Sequence, residues 1–203
     1  MSTRSVLILK GRGRIPIEAV VDDEPSTIRF VEAEEMWSPF RFEALKRAYQ
    51  AEELSLVPQH VHWNWALKAV QLTKIYHQGL LLECEGDIQG LVLLTTAGRT
   101  SRCSGSSGKP LLYIEYLEVA PWNSREFTED PRYFGVGTRL IQAAVAQSLE
   151  EEFRGRIGLH SLPQSDPFYS DRMGMQSFGP DPDYDDLVYF ELAEDKVASL
   201  LER

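Results

Sequence analysis

Apolar and polar positions change period several times along the chain, and each change marks an element. Val6-Leu7-Ile8-Leu9 is a short apolar run, Gly11-Arg12-Gly13-Arg14 has turn composition, and Ile15 to Val21 can pair back, so a hairpin is predicted. Asp22-Asp23-Glu24-Pro25 breaks that pair, and Ile28 to Val31 is another short strand candidate. From Glu32 to about Gln78 the period becomes helical: Phe42, Leu45 and Tyr49 recur at helical spacing, as do Trp65, Ala69 and Leu72, and Pro58 separates the two segments. Trp63 and Trp65 are read as a helix face packed on a sheet.

Strands then dominate. Gly79 to Glu85 and Ile88 to Thr96 flank the hairpin-like turn Gly86-Asp87. Thr100 to Pro110 is polar and rich in serine and glycine, and reads as a solvated, flexible connector. Leu111 to Val119 is a strong strand ended by Pro121. A loop from Trp122 to Pro131 leads to a helix from about Val136 to Phe153, with Leu140, Ile141, Ala144, Val145, Ser148 and Leu149 as its buried stripe. Ile157 to Leu162 is a strand, Asp166 to Met173 a short helix, Leu187 to Leu192 an alternating strand, and the tail from Glu194 a short helix.

Composition narrows the class. With 203 residues, 43% hydrophobic and 26% charged, the chain has the length and make-up of one globular domain, or one domain plus a small extension. The net charge of −10 repels polyphosphate backbones, which argues against nucleic acid as a partner and suits a cationic substrate. No apolar stretch is long enough to span a membrane, and the run at the start is too short for a signal-peptide core. Cys84 and Cys103 have neither a disulfide framework nor a zinc spacing, so a reducing cytoplasm is the expected compartment.

The segment that carries chemistry is Arg132-Tyr133-Phe134-Gly135-Val136-Gly137-Thr138-Arg139-Leu140, between a strand and a helix. A helix start leaves backbone N–H groups unpaired and carries partial positive charge, which suits an anion. Gly135 and Gly137 let a diphosphate approach the backbone, Thr138 adds a hydroxyl, and Arg132 adds a charge. The dinucleotide fingerprint is excluded because Leu140 stands where its third glycine belongs, and the Walker loop lacks its Gly-Lys-Ser/Thr.

Arg-x-x-Gly-x-Gly after a strand ending Leu117-Glu118-Val119-Ala120-Pro121 resembles the pyrophosphate-binding segment of the GCN5-related N-acetyltransferase (GNAT) superfamily. The resemblance covers roughly residues 28–193. Tyr113 to Pro121 resembles the family's fourth strand and Ile157 to Leu162 its fifth. The hairpin from Gly79 to Thr96 is similar to its second and third strands, and Phe168-Tyr169 before Met173-Gly174-Met175 to its Phe-Tyr…Gly-Phe element. It implies a mixed α/β fold with splayed central strands over residues 28–203, preceded by an N-terminal β extension over residues 1–27.

The resemblance also implies an activity. Acetyl-CoA would be the co-substrate, no metal would be needed, and acetyl would pass directly to a primary amine of a small molecule or peptide. A non-catalytic acyl-CoA-binding module is the alternative. The pantetheine arm would pair with the backbone of Leu117 and Val119, the amides from Tyr133 through Phe134, Gly135, Val136 and Gly137 to Thr138 would hold the pyrophosphate, and an N–H near Val119 would polarise the thioester. Glu115 is the candidate base and Glu118, on the opposite face by strand alternation, the runner-up; both are also readable as solvated carboxylates. Tyr169 is the candidate acid for the leaving thiolate.

Two departures stand against this pattern. Leu162 replaces the asparagine that often precedes the tyrosine by seven residues, and one extra residue separates Tyr169 from Gly174, so the register of the last helix and the role of Tyr169 stay open. His160 and Ser161 are neighbours on a strand, point to opposite faces and form no nucleophile pair; they read as structural or substrate-lining. Asp181-Pro182-Asp183-Tyr184-Asp185-Asp186 resembles a calcium loop but has Asp186 in place of its glycine and Leu192 in place of its glutamate. It reads as a solvated turn, or as the acidic border of an amine pocket. The N-terminal strands are a candidate surface for pairing in a homodimer.

Overall fold

Among the residues that the computed structural model describes, 3–53 and 57–202, nine strands form one mixed sheet. Positions 54–56 of the segment read as helical, and the chain's first two residues, lie outside the described residues. The strands are β1 (Thr3–Lys10), β2 (Ile15–Asp22), β3 (His77–Cys84), β4 (Asp87–Thr95), β5 (Leu112–Val119), β6 (Tyr133–Phe134), β7 (Ile157–Ser161), β8 (Gln176–Asp181) and β9 (Leu187–Glu191). They lie in the order β6-β1-β2-β3-β4-β5-β7-β9-β8. The opening hairpin is therefore part of the main sheet, with β2 paired to β3 and β1 to β6. No helix among the described residues is long and apolar enough to cross a membrane.

One face of the sheet carries α3 (Val136–Glu150), whose Leu140, Ile141, Ala144 and Val145 are buried against Leu80, Leu82, Val92, Leu94 and Ile114. The other carries α1 (Thr27–Gln50) and α2 (Trp65–Lys68), which place Phe30, Trp37 and Trp65 against Leu81, Leu91 and Leu93. A short C-terminal helix, α4 (Glu194–Leu201), closes the first core with Val197 and Leu200.

The structure corrects three expectations. Ile28 to Val31 is the first turn of α1 rather than a strand, because a short apolar run has no period of its own and Phe30 begins the helix's buried stripe. That stripe is Phe30, Ala33, Trp37, Arg41, Ala44 and Ala48; the apolar triplet Phe42, Leu45 and Tyr49 faces outward, with Phe42 65% and Tyr49 80% exposed. Buried Arg41, bonded to Glu34 and Glu118, hides the true face from a hydrophobic count. The segment from Thr100 to Pro110 is exposed over most of its length, as expected, but it is not a free connector, because Ser101, Cys103 and Ser106 are buried. It folds over buried Glu191, whose carboxylate accepts from Ser101 Oγ at 2.7 Å, the Arg102 amide at 2.7 Å and the Cys103 amide at 3.2 Å. A buried carboxylate needs such donors, and serine hydroxyls and loop amides supply them.

Two irregularities of β5 position the site. First, β5 and β7 run parallel and pair only from Leu112 to Ile114 and Ile157 to Leu159; beyond that they diverge. Second, β4 meets β5 with a bulge, where Leu93 opposes Tyr116 but Leu94 opposes Ile114. Glu115 is the inserted residue.

Candidate active site

The divergence of β5 from β7 opens two cavities that share a wall. The first, about 410 Å³, lies at the N-terminus of α3 and is lined by Leu117 and Val119 of β5, the segment from Tyr133 to Thr138, and Phe168 and Tyr169. Gly135 precedes α3 with φ of 88°, a left-handed conformation open to glycine, and makes no side-chain cap. The first amide bonded back within the helix is that of Arg139, to the Gly135 carbonyl, so those of Val136, Gly137 and Thr138 point onward without helical acceptors. The Thr138 hydroxyl is buried with no hydrogen-bond partner. A side chain on Gly137 would stand 3.4 Å from the Phe168 ring, at the floor of the same cavity. Open amides, an orphaned hydroxyl and a bare backbone fit a diphosphate group.

The positions read from the sequence divide into two sets. Leu117, Val119, Phe134, Gly135, Val136, Gly137 and Thr138 come together around this cavity. Tyr133 lines it too, but its amide donates to Asn123 Oδ1 at 3.0 Å and its hydroxyl to Glu85, so the Tyr133 amide is engaged elsewhere. The Arg132 guanidinium lies outside, 5.1 Å above the Trp122 ring. Arg125 and Arg172 line the cavity instead, as do Glu118 and Glu126.

The second cavity, about 640 Å³, lies on the other side of Tyr169. Glu115 lines it, with its Oε1 3.1 Å from His77 Nε2. Tyr113, Tyr116, Arg99, His160, Tyr184 and Asp185 complete much of its surface. Ser161 lines it as well, and His160 is held by the Tyr113 hydroxyl at 2.6 Å and by Asp181 at 3.2 Å while stacked on Tyr184. Tyr169, Leu117, Leu162, Ser165 and Trp63 belong to both cavities. Burial, aided by Asp166, raises the Tyr169 phenol well above its ordinary value, so it stays protonated at neutral pH.

Strand alternation places Glu115 and Glu118 on opposite faces; the bulge removes that opposition. Tyr116 and Glu118 both point toward α1 and α2, and Glu115 turns the same way, to His77. Their surroundings separate them. Glu118 is buried, bonded to Trp65 Nε1 at 2.6 Å and Arg41 Nη1 at 3.0 Å. Burial raises its pKa to about 7 against the pull of Arg41. His60 Nε2 lies 3.6 Å from it, while Nδ1 faces the Gln164 amide at 3.0 Å. Burial, with Arg41 nearby, lowers the His60 pKa to about 4. Glu115 is part-exposed in the second cavity and free of that network.

The histidine and arginine of this wall, His60 and Arg41, are absent from the sequence reading, as is Arg99. The one signal for Arg41 is a charged residue at the centre of a helical spacing that begins at Phe30 and Ala33.

No family model matches the chain, and no curated protein matches it. Solved structures do. The GNAT domain of S. lividans PAT is 17% identical over 94% of this chain and 96% of that one, with a TM-score of 0.51. A bacterial toxin is 16% identical over 71% of this chain and 81% of that one, at 0.50. The PaiA N-acetyltransferase from Thermoplasma acidophilum, solved with coenzyme A, is 11% identical over 86% of this chain and 98% of that one, at 0.49. The fold is that of the GNAT superfamily.

Proposed function

We propose that this GNAT-fold chain is an acetyl-CoA-dependent N-acetyltransferase that passes acetyl directly to a primary amine while both substrates are bound. One observation carries the reading: an uncapped helix start with open amides and an unpartnered Thr138 hydroxyl faces one cavity, and a carboxylate-bearing second cavity meets it across Tyr169. The amides of Val136, Gly137 and Thr138 would hold the diphosphate, and the edge of β5 at Leu117 and Val119 the pantetheine arm. Acetyl-CoA, when bound, would supply the thioester carbonyl that the amine attacks, with coenzyme A leaving as the thiol.

The chain's own residues supply the proton steps. Glu115 accepts the proton that the amine must lose to become a nucleophile. An amide near Val119 donates to the carbonyl oxygen as it gains charge. Tyr169, kept protonated by burial, donates to the departing sulfur. Glu118, tied to Arg41 and Trp65, fixes β5 against α1 rather than exchanging protons with substrate.

Calorimetric titration with acetyl-CoA and a free-thiol assay with primary amines test this together. The expected result is one-site binding and amine-dependent thiol release. Absence of heat and of a thermal shift at millimolar ligand overturns the reading. Tight binding with slow background hydrolysis alone assigns the chain to coenzyme binding without catalysis.

A further inference from the structure

The second cavity is lined by an arginine, Arg99, that makes no ion pair among the described residues. Arg99 lies in the loop after β4, anchored where its carbonyl accepts from the Leu111 amide at 3.2 Å. Its guanidinium sits 4.6 Å from the Tyr113 ring centroid and 5.1 Å from that of Tyr184, and Nη2 donates to the Tyr184 hydroxyl. No ion pair forms on it among the described residues, although Asp185 lines the same cavity. Arg102, the next arginine along this loop, contrasts with it: it is bonded to Asp181 at 2.8 Å.

An arginine stacked by tyrosines keeps its charge and presents its remaining N–H groups in the plane of the guanidinium, a geometry that matches a carboxylate. Glu115 lines the same cavity, as does Tyr113, whose hydroxyl burial raises, while Arg99 lowers it and Glu115 raises it. The cavity is thus bipolar, with an anion suited to an ammonium and a cation suited to a carboxylate. A polyamine or other multiply cationic acceptor would have to place positive charge against Arg99.

We infer that the acceptor is an amine that itself carries a carboxylate, an amino acid or a short peptide with a free C-terminus, with Arg99 as the residue that selects it. This rests on the transferase reading of the same site and sharpens its substrate class; the acidity of the whole surface gives no such preference.

The test uses the common amino acids and a set of dipeptides, each as the free acid and as the carboxamide, on the full chain with and without coenzyme A. Equilibrium binding is read by saturation-transfer NMR and calorimetry, and turnover by thiol release from acetyl-CoA. At least one acid is expected to bind about ten- to a hundredfold more tightly than its amide, the range of a charge-assisted contact. Arg99→Met should remove that preference while acetyl-CoA binding and the melting temperature hold, and Arg99→Lys should restore part of it. Equal binding of acids and amides, an acid preference that survives Arg99→Met, or no binding by any probe overturns the inference. Acid-selective binding without thiol release keeps the carboxylate site and removes the transferase reading. Thiol release with amides and polyamines as good as acids does the reverse.

Discussion

The two cavities draw on several segments each but differ in what they present. The one at α3 holds an unbroken stretch of backbone, Tyr133 to Thr138, beside residues from β5, from 123–126 and from 162–172. The one across Tyr169 is assembled from separated positions: Trp63, Arg99, Glu115, His160 and Tyr184. On the proposed reading the first would bind through main-chain amides, so its sequence requirement would be a pair of small residues at a helix start. The second would bind through side chains, so its chemistry would change with a single residue on one loop. A fold that kept the first and varied the second could then change its acceptor without rebuilding its coenzyme site.

This division can be broken by mutation. The largest effect expected is from Glu115→Gln: kcat near neutral pH should fall by about a hundredfold or more, the range for a lost general base, while the dissociation constant for acetyl-CoA is unchanged. Steady-state kinetics beside calorimetry checks it, and a parallel loss of coenzyme affinity would show that the cavities are not separable.

Next in size is Gly135→Val. The position has φ of 88° with open space around it, so the penalty is conformational, roughly 1–2 kcal/mol or more for a branched residue. Coenzyme affinity should weaken about tenfold or more as the helix start shifts, by the same energy scale. Binding of the acceptor alone should hold; if it does not, the shared wall couples the two sides.

The smallest effects concern the wall itself. A carboxyl raised from its ordinary 4.5 to about 7 in the fold contributes stability below pH 4.5 that is lost as pH rises through 7. A histidine lowered from 6.5 to about 4 contributes stability above pH 6.5 that is lost as pH falls through 4. Between pH 4.5 and 6.5 Glu118 and His60 therefore pull in opposite directions. Relative to the unmodified chain, His60→Asn should make denaturant stability fall with rising pH in that window, and Glu118→Gln should make it rise, each by up to about 1.4 kcal/mol per pH unit. Parallel pH profiles for all three proteins would mean that the two groups are not held in these ionisation states.

The contrast also explains what was legible in the chain. The glycine pair and the amphipathic run after it point to the helix and the anion cradle directly, because both are local. So are the hairpins around Gly11 and Gly86. Hidden features have non-local causes. The bulge at Glu115 is a slip of one residue, visible only against the register of β4. Arg41 is polar in sequence and buried in the fold because Glu34 and Glu118 arrive from elsewhere. Arg132 reads as a phosphate ligand by its spacing, yet Trp122 offers it a ring on the outer side. Arg99 has no motif around it, since the tyrosines that hold it lie 14 and 85 positions away.

The lead-in to the cradle is fastened to the beginning of the chain. Leu9 and Lys10 pair with Phe134 and Tyr133, the Gly11 amide donates to the Arg132 carbonyl at 2.8 Å, and Arg12 meets Asp130 at 2.9 Å. The opening hairpin thus braces the strand that leads into α3. Cutting, crowding or fusing a bulky partner to those first residues would loosen the start of α3, and with it the proposed diphosphate cradle, without altering a residue of the cradle itself.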